Sequence, residues 1–228
     1  MSLVGLDKMS LLDYEDKIAC VLFYKACNFR CPFCHNGLTV LEANDEILFD
    51  AALDYLKGRR GLLDAVVFTG GEPTLEPNLK KHIQAVKELG FLVKLDTNGT
   101  NPEIVQDLID SNLLDYIAMD IKNSEEKYAL TSGVRNINMD NIKKSIEIIM
   151  NSGIDYEFRT TLVDEFHKEI DMEGIARLIK GARVLYLQKF VERDGCIQKG
   201  LHEIKEEQAT RFKKILNKYI PQIELRGY

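Results

Sequence analysis

Residues 91–121 read FLVKLDTNGTNPEIVQDLIDSNLLDYIAMDI, and their pattern indicates the fold class. The apolar run Phe91–Asp96 has the length of a buried strand, and Tyr116–Ile121 is a second such run. Between them, Asn101 is a favourable N-cap and Pro102 a favourable first helical residue, so a helix is predicted to about Ser111. Two strands joined by a helical crossover pair in parallel. The stretch is therefore one strand–helix–strand unit of an α/β fold.

The same alternation continues in both directions along the chain. Further strands are predicted at Ile18–Tyr24, Ala65–Thr69, Tyr156–Val163 and Val184–Phe190. Further helices are predicted at Asp45–Lys57, Pro77–Leu89, Met139–Asn151, Ile170–Lys180 and Lys205–Tyr219, with Gln222–Leu225 as a tail. Six strands, each followed by a helix, require right-handed crossovers between parallel neighbours. We predict an open, partial (β/α)6 barrel with parallel strands, formed by a single domain over residues 1–228, because no linker divides the chain. A doubly wound sheet is the alternative that this pattern leaves open.

Charge and composition exclude several classes of function. The 228-residue chain has 30 Lys and Arg against 36 Asp and Glu, a net charge of −6. No basic cluster is longer than Lys57–Arg60 or Lys80-Lys81, so no nucleic-acid partner is expected. It contains no run of about 18 apolar residues and no apolar leader, which predicts neither a membrane span nor a secretory signal. The expected location is the cytoplasm, where cysteine thiols stay reduced.

Three of the five cysteines are crowded into the loop after the first predicted strand. The loop reads Cys27-Asn28-Phe29-Arg30-Cys31-Pro32-Phe33-Cys34-His35-Asn36. Three thiolates in a C-x3-C-x2-C pattern are suited to an iron–sulfur cluster, and a four-iron cluster held by three cysteines keeps one iron open for chemistry. A Cys3His zinc site that includes His35 stays an alternative. The segment Cys31–His35 also matches the c-type haem signal, which requires export and leaves Cys27 unused.

Polar residues and glycines follow other predicted strands where each one ends. Gly70, Gly71 and Glu72 follow the second strand, where glycines let a ligand approach the backbone and a carboxylate can accept from an ammonium. Gly-Gly is also a common turn, which is the alternative for this segment. Gln188 ends the sixth strand and could face the same edge of the sheet. In parallel barrels this carboxyl edge is where active sites assemble.

Charged residues lie at the third, fourth and fifth strands. Asp96 ends the third, Asp120 ends the fourth, and Lys122 lies on the same face as Asp120. Arg159 falls within the fifth strand, where a buried guanidinium needs an anionic partner. The alternatives to ligand binding are a solvated rim ion pair and a structural pair of Arg159 with Asp120 or Glu157.

The cysteine motif, with Phe33 before its last cysteine, resembles that of the radical S-adenosylmethionine (SAM) superfamily. Asn36 and the segment Ser10-Leu11-Leu12-Asp13-Tyr14 look more narrowly like the activating enzymes of glycyl-radical enzymes, and most like those of anaerobic ribonucleoside-triphosphate reductase. The resemblance implies a radical SAM oxidoreductase whose [4Fe–4S] cluster is held by Cys27, Cys31 and Cys34. It implies that Gly70, Gly71 and Glu72 bind the amino group of SAM, and that Asp96, Thr97 and Asp120 bind a monovalent cation beside the SAM carboxylate. Lys122 would contact SAM, and Arg159 its carboxylate or ribose.

The resemblance also implies a reaction and partners. The reduced cluster would donate one electron to the sulfonium of SAM, and the 5′-deoxyadenosyl radical would remove a Cα hydrogen from a glycine of a partner glycyl-radical enzyme. A low-potential donor such as flavodoxin or ferredoxin would supply the electron. A pyruvate formate-lyase-type activase and a radical SAM enzyme that acts on a small molecule are alternatives. An iron–sulfur electron carrier and a zinc-binding module are alternatives of another class.

Overall fold

The computed structural model describes residues 3–37 and 46–228, which form an eight-stranded sheet with its strands in chain order. The strands are β1 (Leu3–Ser10), β2 (Ala19–Tyr24), β3 (Ala65–Gly70), β4 (Leu92–Thr97), β5 (Tyr116–Asp120), β6 (Asp155–Leu162), β7 (Val184–Lys189) and β8 (Gln222–Arg226). Strands β2 to β8 pair in parallel, and β1 pairs antiparallel with β2. The predicted α/β class with parallel strands is therefore confirmed.

Helices connect the parallel strands. They are α1 (Phe49–Lys57), α2 (Leu79–Glu88), α3 (Pro102–Asp110), α4 (Glu125–Ser132), α5 (Met139–Asn151), α6 (Glu169–Leu178) and α7 (Glu206–Leu216), with a 3-10 turn at Pro73–Leu75. The predicted helical start at Asp45 lies outside the described residues. Helix α2 begins at Leu79 rather than at Pro77, because the Glu76 side chain accepts from Asn78 N at 2.8 Å and holds a turn there.

Three elements lie outside the predicted pattern. Strand β1 falls in a segment where no strand is predicted, and its short connection to β2 requires antiparallel pairing. Strand β8 occupies the predicted tail and adds a seventh parallel strand to the expected six. Helix α4 buries Tyr128, Thr131 and Ser132 and has no apolar stripe, so hydrophobic periodicity cannot reveal it.

The two faces of the sheet differ in chemistry. Alternate residues of β2 face the helices, where Cys20, Leu22 and Tyr24 join the main apolar core. Cys20 is therefore a core residue and lies apart from the cysteine loop. The inner face carries smaller apolar residues that pack around Tyr14, whose ring centre lies 5.3 Å from that of Tyr116. Among residues 3–37 and 46–228, no helix has the length and apolar character needed to cross a membrane.

Candidate active site

All the residues that the sequence analysis places in the site line one cavity at the carboxyl edge of the sheet. The cavity has a volume of about 440 Å³, within the range of ~300–1,000 Å³ that is typical of small-molecule sites. The residues are Cys27, Cys31, Cys34, Gly70, Gly71, Glu72, Asp96, Thr97, Asp120, Lys122, Arg159 and Gln188. They belong to the loop after β2 and to strands β3 to β7 or the residues just after them. Parallel pairing therefore brings together side chains that are far apart in the sequence.

The backbone of the cysteine loop is held from two sides. Arg30 N donates to Ser132 O at 2.8 Å. A Cβ added to Gly133, which caps α4, would lie only 2.1 Å from Arg30 O. On the other side, Gln198 N donates to Pro32 O at 2.8 Å. Helix α4 and the residues after β7, neither predicted to belong to the site, thus fix the loop that carries the three thiols.

Residues 191–201, which we call the closing segment, lie against the end of the cysteine loop. His35 Nε2 donates to Val191 O at 2.8 Å, and the His35 ring stacks on Phe190 with ring centres 5.7 Å apart. A Cβ added to Gly195 would lie 2.3 Å from His35 O, and one added to Gly37 would lie 2.7 Å from Gly195 O. The two backbones therefore meet where no side chain has room.

Burial keeps the three thiols from ionising on their own. It raises the pKa of Cys27 to about 11 and that of Cys31 to about 12, and it raises the pKa of Cys34 as well. The Lys122 ammonium opposes each of these shifts. The thiols are thus protonated at neutral pH until a cationic group replaces their protons, which is how thiolate ligands bind a metal centre.

The thiol geometry bears on which metal group the site could hold. Three free thiols line one cavity, and three cysteines are a donor set that fits an iron–sulfur cluster. Among the described residues, no three His, Cys, Asp or Glu side chains lie close enough together to hold a single metal ion.

Gly70 and Gly71 let the end of β3 pass directly against the cysteine loop. Gly70 has a φ of +110°, and Gly71 N donates to Tyr24 O at 2.8 Å. A Cβ added to Gly71 would lie 1.8 Å from Ala26 O. Asn36 Nδ2 donates to Gly70 O at 3.2 Å, which ties the far end of the loop to the same strand. The two glycines are therefore required by backbone contact and do not form a simple surface turn.

Glu72 joins the ends of β3 and β4. Its carboxylate is 1% exposed, and Oε1 accepts from Thr74 N at 3.1 Å, Thr74 Oγ1 at 2.6 Å and Thr97 Oγ1 at 2.8 Å. Its Oε2 accepts from Asn98 N at 2.7 Å. Burial raises the pKa of Glu72, and these hydrogen bonds oppose the rise. Contact of Glu72 with an ammonium of SAM stays a prediction, and Oε2, with one donor, is the oxygen better able to make it.

Arg159 lies between the two aspartates that the sequence analysis assigns to a cation. Its Nη1 is 3.2 Å from Asp96 Oδ2, and its Nε is 2.9 Å from Asp120 Oδ1. Lys122 Nζ lies 3.0 Å from Asp120 Oδ2. Burial alone would raise the pKa of Asp120, but Arg159 and Lys122 outweigh it and hold that pKa at about 2. The structural ion pair between Arg159 and Asp120 is therefore present, while the cation site stays a prediction.

One carboxylate oxygen beside Arg159 is free to accept a hydrogen bond. Asp96 Oδ1 is buried and accepts no hydrogen bond from the described residues, with Lys94 Nζ at 3.8 Å. Burial and the nearby Asp120 carboxylate act in opposite directions on Lys122, and the carboxylate prevails, so the pKa of Lys122 lies above its usual range. The cavity therefore offers both a firmly charged ammonium and an unused carboxylate oxygen to a zwitterionic ligand.

Sequence reasoning missed several residues at the cavity. Asp13 and Arg193 line it, although no role is predicted for either. Asp13 lies in the segment that carries the resemblance, which could have singled it out, whereas nothing in the pattern around Arg193 does so. Asn98 also lines the cavity, directly after Asp96 and Thr97. Cys196 is buried in the closing segment, and Arg193 N lies 3.5 Å from its sulfur.

The fold and this thiol-lined cavity define a radical SAM enzyme. The profile of the Radical SAM superfamily matches residues 21–179, so the chain belongs to this superfamily, whose members use a [4Fe–4S] cluster and SAM. The chain is 35% identical over 97% of its length to the "Putative glycyl-radical enzyme activating enzyme MJ1227" of Methanocaldococcus jannaschii, and covers 94% of that protein. Within the superfamily, it therefore belongs to the glycyl-radical enzyme activating enzymes.

Two further comparisons concern a second activating enzyme and the fold. The chain is 26% identical over 78% of its length to the pyruvate formate-lyase-activating enzyme of Clostridium pasteurianum, and covers 76% of that protein. Its structure superposes on the crystal structure of Streptococcus suis SuiB bound to S-adenosylmethionine with a TM-score of 0.68 at 14% identity. That match covers 91% of this chain and 52% of SuiB. The similarity of fold confirms the partial-barrel prediction. The strands lie in chain order from β1 to β8, whereas a doubly wound sheet reverses its strand order, so that alternative is excluded.

Proposed function

We propose that this protein generates the glycyl radical of a partner enzyme by reductive cleavage of SAM at a [4Fe–4S] cluster held by Cys27, Cys31 and Cys34. The observation that supports this is the convergence of three thiols with the Glu72 carboxylate and the cationic Lys122 and Arg159 in one cavity. When bound and reduced, the cluster would supply one electron to the sulfonium of SAM. The C5′–S bond would then break to release methionine and a 5′-deoxyadenosyl radical, which would take a Cα hydrogen from the partner's glycine and leave as 5′-deoxyadenosine.

The chain's own residues bind and orient in this proposal. The backbone at Gly70 and Gly71, which no side chain crowds, together with Glu72 would receive the methionyl ammonium. The SAM carboxylate would lie near Lys122 and Arg159, whose positive charges the cavity already holds in place. Gln188 would contribute an amide from β7. The closing segment would limit the access of water to the cysteine loop.

The partner in this proposal is an anaerobic ribonucleotide reductase. Support comes from the C-x3-C-x2-C-x-N motif and from the segment Ser10–Tyr14, both of which resemble the activating proteins of that reductase. A glycine is a suitable target because no side chain blocks its Cα, and its loop has to enter the cavity. We also propose flavodoxin or ferredoxin as the electron donor, and a reducing, cytoplasmic setting that suits the free cysteines.

A two-stage experiment tests the proposal. Anaerobically reconstituted protein is first reduced with dithionite in the presence of SAM, and 5′-deoxyadenosine is measured by chromatography. It is then mixed either with the anaerobic ribonucleotide reductase of the same organism or with a pyruvate formate-lyase, and the glycyl radical is sought by electron paramagnetic resonance. We expect a radical signal with that reductase and none with its variant that has alanine at the radical glycine.

Each outcome decides a different part of the proposal. Absence of 5′-deoxyadenosine refutes SAM cleavage. Formation of 5′-deoxyadenosine with a radical on pyruvate formate-lyase, but not on the reductase, refutes the partner and retains the activase. Formation of 5′-deoxyadenosine without a radical on either partner refutes the proposed partner and favours a small-molecule substrate.

A further inference from the structure

Three polar side chains form a closed ring of hydrogen bonds beside the first cysteine. Asn98 Nδ2 donates to Asn28 Oδ1 at 2.8 Å, Asn28 Nδ2 donates to Thr100 Oγ1 at 2.8 Å, and Thr100 Oγ1 donates to Asn98 Oδ1 at 2.7 Å. Every member both donates and accepts, so the ring has one consistent direction. Asn98 is buried, Thr100 is half-buried and Asn28 is exposed, so the ring joins a buried amide to the protein surface.

The orientation of the Asn98 amide follows from a backbone contact. Thr100 N donates to Asn98 Oδ1 at 3.0 Å, and a backbone N–H can only donate, so this end of the amide is the oxygen. The NH2 group must then point to the other side, towards Asn28 and Cys27. Asn98 is 5% exposed, and its own N donates to Glu72 Oε2 at 2.7 Å, which fixes the backbone as well.

The NH2 group approaches the sulfur of Cys27. Asn98 Nδ2 lies 3.9 Å from Cys27 Sγ, and Phe29 N lies 3.3 Å from the same sulfur. N–H contacts to a thiolate ligand are shorter than contacts to a thiol, because the acceptor carries charge. Hydrogen bonds to the sulfurs are among the factors that set the reduction potential of an iron–sulfur cluster. A donor that points at a ligand sulfur favours the more negative, reduced state.

We propose that Asn98 is a positioning residue that raises the reduction potential of the cluster, with Asn28 and Thr100 aiming its amide at the Cys27 sulfur. The inference rests on the proposed function in one respect, that Cys27 is a cluster ligand. It does not depend on which partner receives the radical. It assigns the residue after Asp96 and Thr97 to electron uptake by the cluster and not to the binding of SAM.

A redox titration of the reconstituted protein, followed by electron paramagnetic resonance in the absence of SAM, tests the proposal. In Asn98→Ala we expect the ratio of reduced to oxidised cluster at a fixed potential to fall about tenfold, which is a shift of about 59 mV for one electron. Thr100→Val should shift the ratio in the same direction by less, because it opens the ring but keeps the amide. Asn141→Ala is the matched control, since Asn141 Nδ2 donates to Thr100 O at 2.9 Å, and it should leave the ratio unchanged.

The outcomes separate this inference from the proposed function. If the unaltered protein holds no redox-active cluster, the proposed function and this inference both fail. If its cluster titrates normally and Asn98→Ala titrates identically, only this inference fails. An equal shift in Asn141→Ala also overturns it, because the effect then belongs to the loop as a whole. If Asn98→Ala retains no iron, the test rests on Thr100→Val. An unchanged reduction potential of the cluster in Thr100→Val then refutes the role of the ring.

Discussion

Replacement of Arg159 by methionine is expected to lower the free energy of unfolding by about 3 kcal/mol at pH 7.5. The guanidinium is 13% exposed and contacts Asp96 at 3.2 Å, Asp120 at 2.9 Å and Glu157 at 3.8 Å. Removal of one partner of a buried ion pair typically costs ~3–5 kcal/mol, since it leaves uncompensated charge behind. Asp120 is 30% exposed and keeps Lys122, so the lower end of that range applies.

Equilibrium urea unfolding of the metal-free protein at pH 7.5 and at pH 3 measures this effect. Without Arg159, the pKa of Asp120 rises from about 2 towards its ordinary value, so the variant gains less than the unaltered protein from the ionised carboxylate. That gain is lost as the pH falls from ~4 towards 2, so the difference in stability from the unaltered protein should shrink at pH 3. Arg159→Lys, which keeps the charge but not the planar fork, should lose less than Arg159→Met. Equal stability of Arg159→Met and the unaltered protein, or the same loss at both pH values, would refute the reasoning.

Three further changes test separate parts of the structure. In iron analysis of the reconstituted protein, Cys31→Ala should contain no bound iron. Cys196 is buried outside the cavity, so Cys196→Ala should retain its iron. Full iron content in Cys31→Ala contradicts the ligand assignment. Gly71→Ala places a Cβ 1.8 Å from the backbone oxygen of Ala26 and should lower the free energy of unfolding by about 1–3 kcal/mol. In the control Gly58→Ala the nearest atom is 3.5 Å away, so the melting temperature should change little. Equal melting temperatures of the two variants would argue against the close approach. Because the pKa of Asp120 is held at about 2, below its ordinary value, this carboxylate stabilises the fold above pH ~4 and loses that contribution as the pH falls towards 2. Asp120→Asn should thus cost up to about 2 kcal/mol at pH 7 and progressively less in acid, and a cost that does not change with pH would disprove this.

The fold was predictable wherever a hydrophobic pattern specifies an element by itself. Buried parallel strands such as Ala65–Gly70 are continuous apolar runs, and α5 has the predicted bounds because apolar residues recur at helical spacing along Met139–Asn151. Strand β1 and helix α4 have no such pattern. Strand β1 is stabilised by pairing with β2, and α4 by packing beneath the cysteine loop, so both depend on contacts that appear only in three dimensions.

The membership of the site was predictable from topology, but its internal bonding was not. Carboxyl ends of parallel strands share one edge, which is enough to bring Glu72, Asp96 and Asp120 to the cysteines. The sequence does not show that Glu72 would accept from Thr97 and Asn98, or that Arg159 would join two aspartates, because such pairing depends on distances of a few tenths of an ångström. The roles of these residues towards SAM remain predictions.

The seating of the closing segment on the cysteine loop has a consequence for biosynthesis. The three thiols emerge early from the ribosome, yet His35 bonds to Val191, a residue 156 positions later. The Pro32 carbonyl likewise accepts a hydrogen bond from Gln198 N, which is translated much later. Until β7 and the residues after it have been translated, the thiol loop lacks its contacts with the closing segment. Delivery of iron and sulfide is therefore expected to follow completion of the chain, after the barrel's last strands have joined the sheet.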